Sequence, residues 1–247
     1  MSTSGNPQGI LIHSDDETLF GAWYAGSGEG PRPTAIVLHG IPGIEKNADI
    51  VYALRDRGWN ALIFHYRGSW GSGGKYTLAG IPSDVSAALN TVLNDGSYNV
   101  DAERIALVGH SLGGWAAIVS AARNARVKAV VTIGGISDMR SWSLTPEEAT
   151  GMAHFLNHTS GNEILSQIRA LGQTRNPVDV VENVGMLPIL IVHGDADEMV
   201  PIEQARLLLD RSNRTAELVV IEGADHAFSR HRRQMVETVV NWLNNKV

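Results

Sequence analysis

The chain has 247 residues, a length that suits one α/β domain with a sizeable core. Apolar residues make up 43% and charged residues 19%, which excludes disorder over the whole chain. Twenty Lys and Arg against 26 Asp and Glu give a net charge of −6, the wrong sign for a protein that neutralises nucleic-acid phosphates. The chain has no cysteine, so disulfides, thiolate nucleophiles and Cys-ligated metals are excluded. The N-terminal Met1–Gln8 carries neither a basic nor an apolar segment, and no apolar run approaches the ~20 residues of a bilayer span. The expectation is a soluble, cytoplasmic protein with no membrane partner.

In chain order, Gly9–His13 and Thr18–Tyr24 read as a hairpin around Ser14-Asp15-Asp16-Glu17. A glycine-rich loop precedes a buried apolar strand at Thr34–Leu38. Strands and helices then alternate. Helical periodicity covers Asn47–Arg57, and Asn60–Phe64 is a strand. Ser83–Asn94 is helical, Arg104–Val108 extended, Ser111–Arg123 helical and Ala129–Ile133 extended. Two more strands follow at Pro188–Val192 and Ala216–Ile221. Each precedes a helix, the first from about Pro201 to Arg211 and the second over Arg230–Asn244. The basic run Arg230-His231-Arg232-Arg233 is expected to be a solvated helix face.

This alternation implies a mostly parallel central sheet with helices on both faces, in one domain spanning residues 1–247. The stretch from Gly134 to Leu187 is longer than one crossover needs. It contains helical patterns at Thr145–His158 and Asn162–Leu171, and is read as a helical cap insertion at about residues 137–185, over the C-terminal edge of the sheet.

Gly109-His110-Ser111-Leu112-Gly113, followed by Gly114, places a G-x-S-x-G pattern where a strand hands over to a helix. That is the strand–turn–helix of a nucleophile elbow, in which flanking glycines let the two elements approach while a strained serine holds its Oγ out over the sheet end. A serine hydroxyl needs a base to remove its proton and an acid to orient that base. The expected chain order is Ser, acid, His. His193-Gly194-Asp195-Ala196-Asp197-Glu198-Met199-Val200-Pro201 and Gly223-Ala224-Asp225-His226-Ala227-Phe228 each follow a strand, in that order. From position alone the acid is Asp195, Asp197 or Glu198, and the base is His226, with His231 and His110 as rivals. One oxyanion donor should be the backbone N–H of Leu112, just after the nucleophile.

Together these segments resemble the α/β-hydrolase superfamily, in its serine esterase and prolyl-oligopeptidase-like (dienelactone-hydrolase-like) branch, from about Thr34 to the C-terminus. Tyr66-Arg67-Gly68-Ser69-Trp70-Gly71-Ser72-Gly73 is similar to the glycine-rich loop after the fourth strand of that family. The resemblance implies the α/β-hydrolase fold, Asp197 as the acid and His226 as the base. It also implies Ile41 N–H, in His39-Gly40-Ile41-Pro42-Gly43, as the second oxyanion donor, with His39 structural. Dienelactone-type hydrolases use a Cys nucleophile and dehalogenases an Asp, and this chain has Ser111 instead.

The reading is therefore a serine hydrolase that cleaves carboxylic esters, with short-to-medium acyl or small aromatic groups, through an acyl-enzyme on Ser111. It needs no cofactor and no metal, and its partner is a small-molecule ester. Trp70, Trp142, Met152 and Phe155 are candidates for lining the substrate pocket, while Trp23, Trp59, Trp115 and Trp242 read as ordinary aromatics. His154 and His158 have metal-ligand spacing but lack the Glu of the zincin pattern, where Phe155 stands. A small serine peptidase or amidase, an acyltransferase or perhydrolase, and a receptor-like binding module are the alternatives. No heptad or long apolar edge indicates an oligomeric state.

Overall fold

Short apolar runs bounded by Gly, Pro, Asn and Asp become the strands of one eight-stranded sheet. The computed structural model describes residues 6–212 and 216–247. The strands are β1 (Gln8–Ser14), β2 (Glu17–Tyr24), β3 (Arg32–Leu38), β4 (Asn60–Phe64), β5 (Val100–His110), β6 (Ala129–Ile133), β7 (Ile189–Gly194) and β8 (Ala216–Ile221). They lie in the order β1-β2-β4-β3-β5-β6-β7-β8. The β1–β2 hairpin and the β2–β4 pair are antiparallel, and every later pairing is parallel.

The helices are α1 (Ala48–Asp56), α2 (Ile81–Asn94), α3 (Leu112–Ala121), α4 (Pro146–Ala153), α5 (Gly161–Gly172), α6 (Pro177–Val180), α7 (Glu203–Arg211) and α8 (Arg232–Lys246). Strand alternation divides the core between two faces. In β3, Ile36 and Leu38 belong to one buried cluster with Val85 and Leu89 of α2, Trp115 and Ile118 of α3 and Leu208 of α7. Ala35 and Val37 face the other way, toward Leu54 of α1 and Val239, Val240 and Leu243 of α8. A fully buried side chain of this kind stabilises the fold by about 1.5–3 kcal/mol. With both faces covered, the strand ends are what remain free to carry a site.

Three local expectations change. The helix read over Ser83–Asn94 begins at Ile81, because Pro82 fits its first turn and supplies the φ that a helix start needs. The helix read over Thr145–His158 stops at Ala153. Beyond it Leu156 bridges Ser69, and Asn157 N–H donates to Gly68 O at 2.7 Å while its carbonyl accepts from Tyr76 N–H at 3.1 Å. These bonds to the glycine-rich loop replace further helical ones, so His154 and His158 do not share a helical face. The basic run is not uniformly solvated either. Arg232 pairs with Asp49 at 2.5 Å, although Arg233 is 90% exposed.

Between β6 and β7 the chain inserts α4, α5 and α6. Both longer helices open on capping boxes, Thr145 with Glu148 and Ser160 with Glu163, each closing two free backbone donors. Buried Asp84 accepts hydrogen bonds from Ser14, from Arg67 N–H and from the Arg67 guanidinium, which anchors the start of the glycine-rich loop. Among the described residues no helix is long and apolar enough to cross a membrane.

Candidate active site

β5 runs straight into α3 through Ser111, whose backbone sits at φ 57° and ψ −120°. A side-chain-bearing residue held there stores strain on the order of 1–3 kcal/mol. The flanking glycines show what holds it. A Cβ on Gly109 would stand 2.0 Å from Gly113 O, and one on Gly113 would stand 2.1 Å from Leu38 O. A Cβ on Gly114 would lie 2.8 Å from Gly135 Cα. Ser111 N–H donates to Ile133 O at 2.9 Å, which ties the turn to β6.

Two other strand ends supply the acid and the imidazole. At the end of β7, Gly194 packs so closely that an added Cβ would lie 2.1 Å from Ala224 O, bringing the Asp197 and His226 loops together. Asp197 is buried and its Oδ1 accepts from Met199 N–H at 3.0 Å and Val200 N–H at 2.8 Å. Its Oδ2 lies 2.8 Å from His226 Nδ1 and 3.5 Å from His193 Nε2. An acceptor at Nδ1 fixes the proton there and leaves His226 Nε2 as the basic nitrogen. Asp195 is exposed and accepts from Gly223 N–H instead, and Glu198 is exposed. The close approach continues across the sheet, since a Cβ on Gly134 (φ +52°) would sit 3.2 Å from Asp197 Oδ2 and 3.3 Å from His226 Nδ1.

Two neutral histidines, His110 and His193, brace this pair, and a third, His39, braces the loop against Ser111. His110 Nε2–H donates to His226 O at 2.9 Å, and burial pushes the His110 ring down to about 3. His39 Nδ1–H donates to Gly40 O at 2.7 Å, with burial lowering that ring to about 3 as well. His193 Nε2–H donates to Val200 O at 2.8 Å, and desolvation lowers its pKa. Each carbonyl is an acceptor only, so each ring must carry its proton on the nitrogen named.

Ser111 and His226 border one cavity of about 270 Å³, lined also by Gly40–Glu45, His110, Met199 and Ala227. A Cβ on Gly40 would stand 2.9 Å from Ser111 Cβ and 3.3 Å from its Oγ, so the His39–Gly43 loop lies directly against the serine. Leu112 is the first residue of α3, and its N–H has no intrahelical acceptor. No hydrogen bond joins Ser111 Oγ to His226 among the described residues, and in free enzymes this contact is often loose until substrate binds. A larger groove of about 630 Å³ runs along α2 past His13, Ser14, Asp15 and Ser83, but His13 bonds Thr18 and Asp15 bonds Arg67, so among the described residues no His–Asp pair forms there.

The structure thus brings Ser111, Asp197, His226, Ile41 and Leu112 to one end of the sheet. The aromatic candidates are placed differently. Trp70 is 37% exposed, donates its indole N–H to Pro42 O at 2.7 Å and stacks on Phe155 with ring centroids 5.8 Å apart. That pair therefore stands beside the Gly40–Glu45 wall. Trp142 is buried behind the site, donating to Met199 O at 3.0 Å and lining a separate cavity of about 580 Å³ with Leu144 and Ile168. Met152 packs against the core. Sequence reasoning missed Gly134, Ile44, Glu45 and Met199. The Gly134-Gly135 pair directly after β6 was the one available signal, since glycine at a strand end marks close backbone approach. Among the described residues no group of three His, Asp or Glu side chains is placed to hold a metal ion.

Residues 47–247 match the prolyl oligopeptidase family. The chain is 28% identical to the YfhR protein of Escherichia coli O157:H7 over 249 residues, covering 96% of this chain and 82% of that protein. It is 29% identical to the 2,6-dihydropseudooxynicotine hydrolase of Paenarthrobacter nicotinovorans over 206 residues, covering 74% of this chain and 52% of that enzyme. Its fold is similar to Est1E from Butyrivibrio proteoclasticus with ferulic acid bound, with a TM-score of 0.80, 24% identity and coverage of 96% and 98% of the two chains. Sheet order, the serine turn after β5 and the match over four-fifths of its length agree: this chain belongs to the prolyl oligopeptidase family, as a serine hydrolase of the α/β-hydrolase fold.

Proposed function

We propose that the protein hydrolyses carboxylic esters through an acyl-enzyme on Ser111. The observation that carries this reading is the Asp197–His226 pair, 2.8 Å apart, opening onto the same cavity as a serine held at φ 57°. His226 Nε2 takes the Ser111 proton as Oγ attacks the acyl carbon. The tetrahedral oxyanion is met by the N–H groups of Ile41 and Leu112, each donor contributing about 3–4 kcal/mol to the transition state. His226 then passes its proton to the leaving alcohol. Asp197 stabilises the imidazolium without itself being protonated. Water, activated by the same His226, releases the acid and restores Ser111.

Apolar walls at Ile41, Ile44 and Met199 and a volume of about 270 Å³ favour a short or medium acyl group over a long chain. The exposed Trp70–Phe155 stack beside that wall favours substrates with a planar aromatic group. Residues 137–185 act as a cap whose contacts with the glycine-rich loop fix this rim. The family description favours a second reading, hydrolysis of peptide or other amide bonds. The test is a p-nitrophenyl ester series from acetate to palmitate beside peptide p-nitroanilides, with wild type and Ser111→Ala. Ester turnover with a short-chain optimum, abolished in Ser111→Ala, is expected. Faster cleavage of the anilides would move the assignment to the peptidase reading, and full ester turnover in Ser111→Ala would end both.

A further inference from the structure

The Gly40–Glu45 wall of the cavity and the loop carrying His226 come from distant parts of the chain, and one guanidinium connects them. Arg232 opens α8, six residues after His226 in the sequence. Its Nε and Nη2 bind Asp49 at 2.8 and 2.5 Å, and Nη2 also reaches Asn47 Oδ1 at 3.1 Å. Its Nη1 donates to Ala227 O at 3.2 Å, beside the imidazole. Glu45, which lines the cavity, lies 3.7 Å from Nη2 and accepts from Asn47 N–H at 2.9 Å. Among the described residues, every hydrogen bond and ion pair between residues 39–49 and residues 223–234 uses this side chain.

Helix stability does not explain an arginine here, since a cation in a first turn opposes the helix dipole. Docking of α1 against α8 does not need it either. Those helices share the apolar cluster of Leu54, Val239, Val240 and Leu243, and at the far end Trp59, three residues past α1, donates its Nε1–H to Asn244 Oδ1 of α8 at 2.8 Å. What Arg232 adds is confined to the end of the pair that borders the cavity. Asn47 shows the same purpose: it is buried, sits at φ 54°, and turns its side-chain oxygen to the guanidinium.

We infer that Arg232 is a positioning residue that sets the separation between the Gly40–Glu45 loop, with its Ile41 N–H, and the His226 loop. The inference rests on the proposed Ser111 mechanism. An oxyanion donor and a general base act on the same reacting carbon, so a shift of either loop by a fraction of an ångström degrades both. Asp49 and Asn47 define the guanidinium position on one side, and Ala227 O receives it on the other. Lysine supplies the charge but only a point donor, and cannot span Asp49, Asn47 and Ala227 together.

The test uses the full chain with Arg232→Lys and Arg232→Met, and p-nitrophenyl acetate as substrate. Melting temperatures identify the folded variants, and Ser111→Ala is the control. Expected is a fall in kcat of about 10- to 100-fold, as for a misplacement near 1 Å, with KM within about twofold, as for an interaction made only in the transition state. Added methylguanidinium should restore part of kcat in Arg232→Met and leave wild type unchanged. If Arg232→Met does not fold, Arg232→Lys carries the same kcat expectation. A folded variant with wild-type kcat overturns the inference, as does a kcat loss in Arg232→Met that methylguanidinium leaves untouched. Turnover surviving in Ser111→Ala would instead overturn the mechanism on which it rests.

Discussion

Acid should unfold this protein through two histidines that flank the site. His39 and His110 are fully buried, and burial pushes both from 6.5 down to about 3. The native state therefore holds them neutral, while the unfolded chain protonates them below about pH 6.5. Their contribution is intact above pH 6.5 and is lost progressively between pH 6.5 and about 3, because the unfolded state binds more protons across that window. Each costs about 1.4 kcal/mol per pH unit once fully engaged, so lowering the pH from 7.5 to 5 removes roughly 2 kcal/mol per ring, or about 4 kcal/mol together. Against a typical 5–15 kcal/mol of total stability, that is a large share. His65 and His193 are also lowered by burial and act in the same direction. Urea unfolding followed by tryptophan fluorescence at pH 7.5 and 5.0 should show a midpoint falling by about 1–2 M, for a slope of 2–3 kcal/mol/M. His110→Gln keeps a donor for His226 O without titrating, and should remove that ring's own share, about 2 kcal/mol, of the pH-dependent loss. Equal midpoints at the two pH values, or an unchanged shift in His110→Gln, would refute the reasoning.

Other perturbations read the site directly. Asp197→Asn presents an amide N–H to His226 Nδ1 and drives the ring proton to Nε2. kcat should then fall by about 10⁴-fold with the melting temperature nearly unchanged, as checked by steady-state kinetics and calorimetry. Gly134→Ala places a Cβ about 3.2 Å from the Asp197–His226 bond at φ +52°. It should lower stability by about 1–2 kcal/mol in urea melts and lower kcat more than KM. Trp70→Ala and Phe155→Ala remove the exposed stack, and kcat/KM for an aryl ester should drop by about tenfold, equivalent to an aromatic contact of about 1.4 kcal/mol. Ethyl acetate, which has no ring to stack, serves as the unaffected comparison.

Most of the sheet was legible because its strands are short, apolar and punctuated, as in Asn60–Phe64 and Ala129–Ile133, which match to the residue. The serine turn was legible because its chemistry is local: Gly109, Ser111, Gly113 and Gly114 must be adjacent for a strand to enter a helix that tightly. Long-range pairing was not legible. Nothing in Phe155–His158 announces that Leu156 will bridge Ser69, so helical periodicity was extended too far. The lower part of β5, Val100–Arg104, is mostly polar, and pairs with β3 only across a register shift at Arg32. Arg232 looked like one member of a basic run because Asn47 and Asp49 lie more than 180 residues away. For the same reason the aromatic candidates could not be sorted. Trp142 turns its indole N–H to Met199 O behind the cavity, while Trp70 is drawn to its rim by Pro42 O.

The central claim is that Ser111 is a nucleophile activated by His226, and one labelling experiment tests it. A fluorophosphonate reacts by forming a bond from the attacking oxygen to phosphorus with loss of fluoride, so the adduct marks the nucleophile. Tryptic mass spectrometry of labelled wild type and His226→Ala reads the position, with Ser111 in the peptide Ile105–Arg123. One phosphonate per chain on Ser111 is expected in wild type, with labelling slowed by orders of magnitude in His226→Ala. An adduct on another residue, no adduct at all, or equal labelling of the two proteins would contradict it.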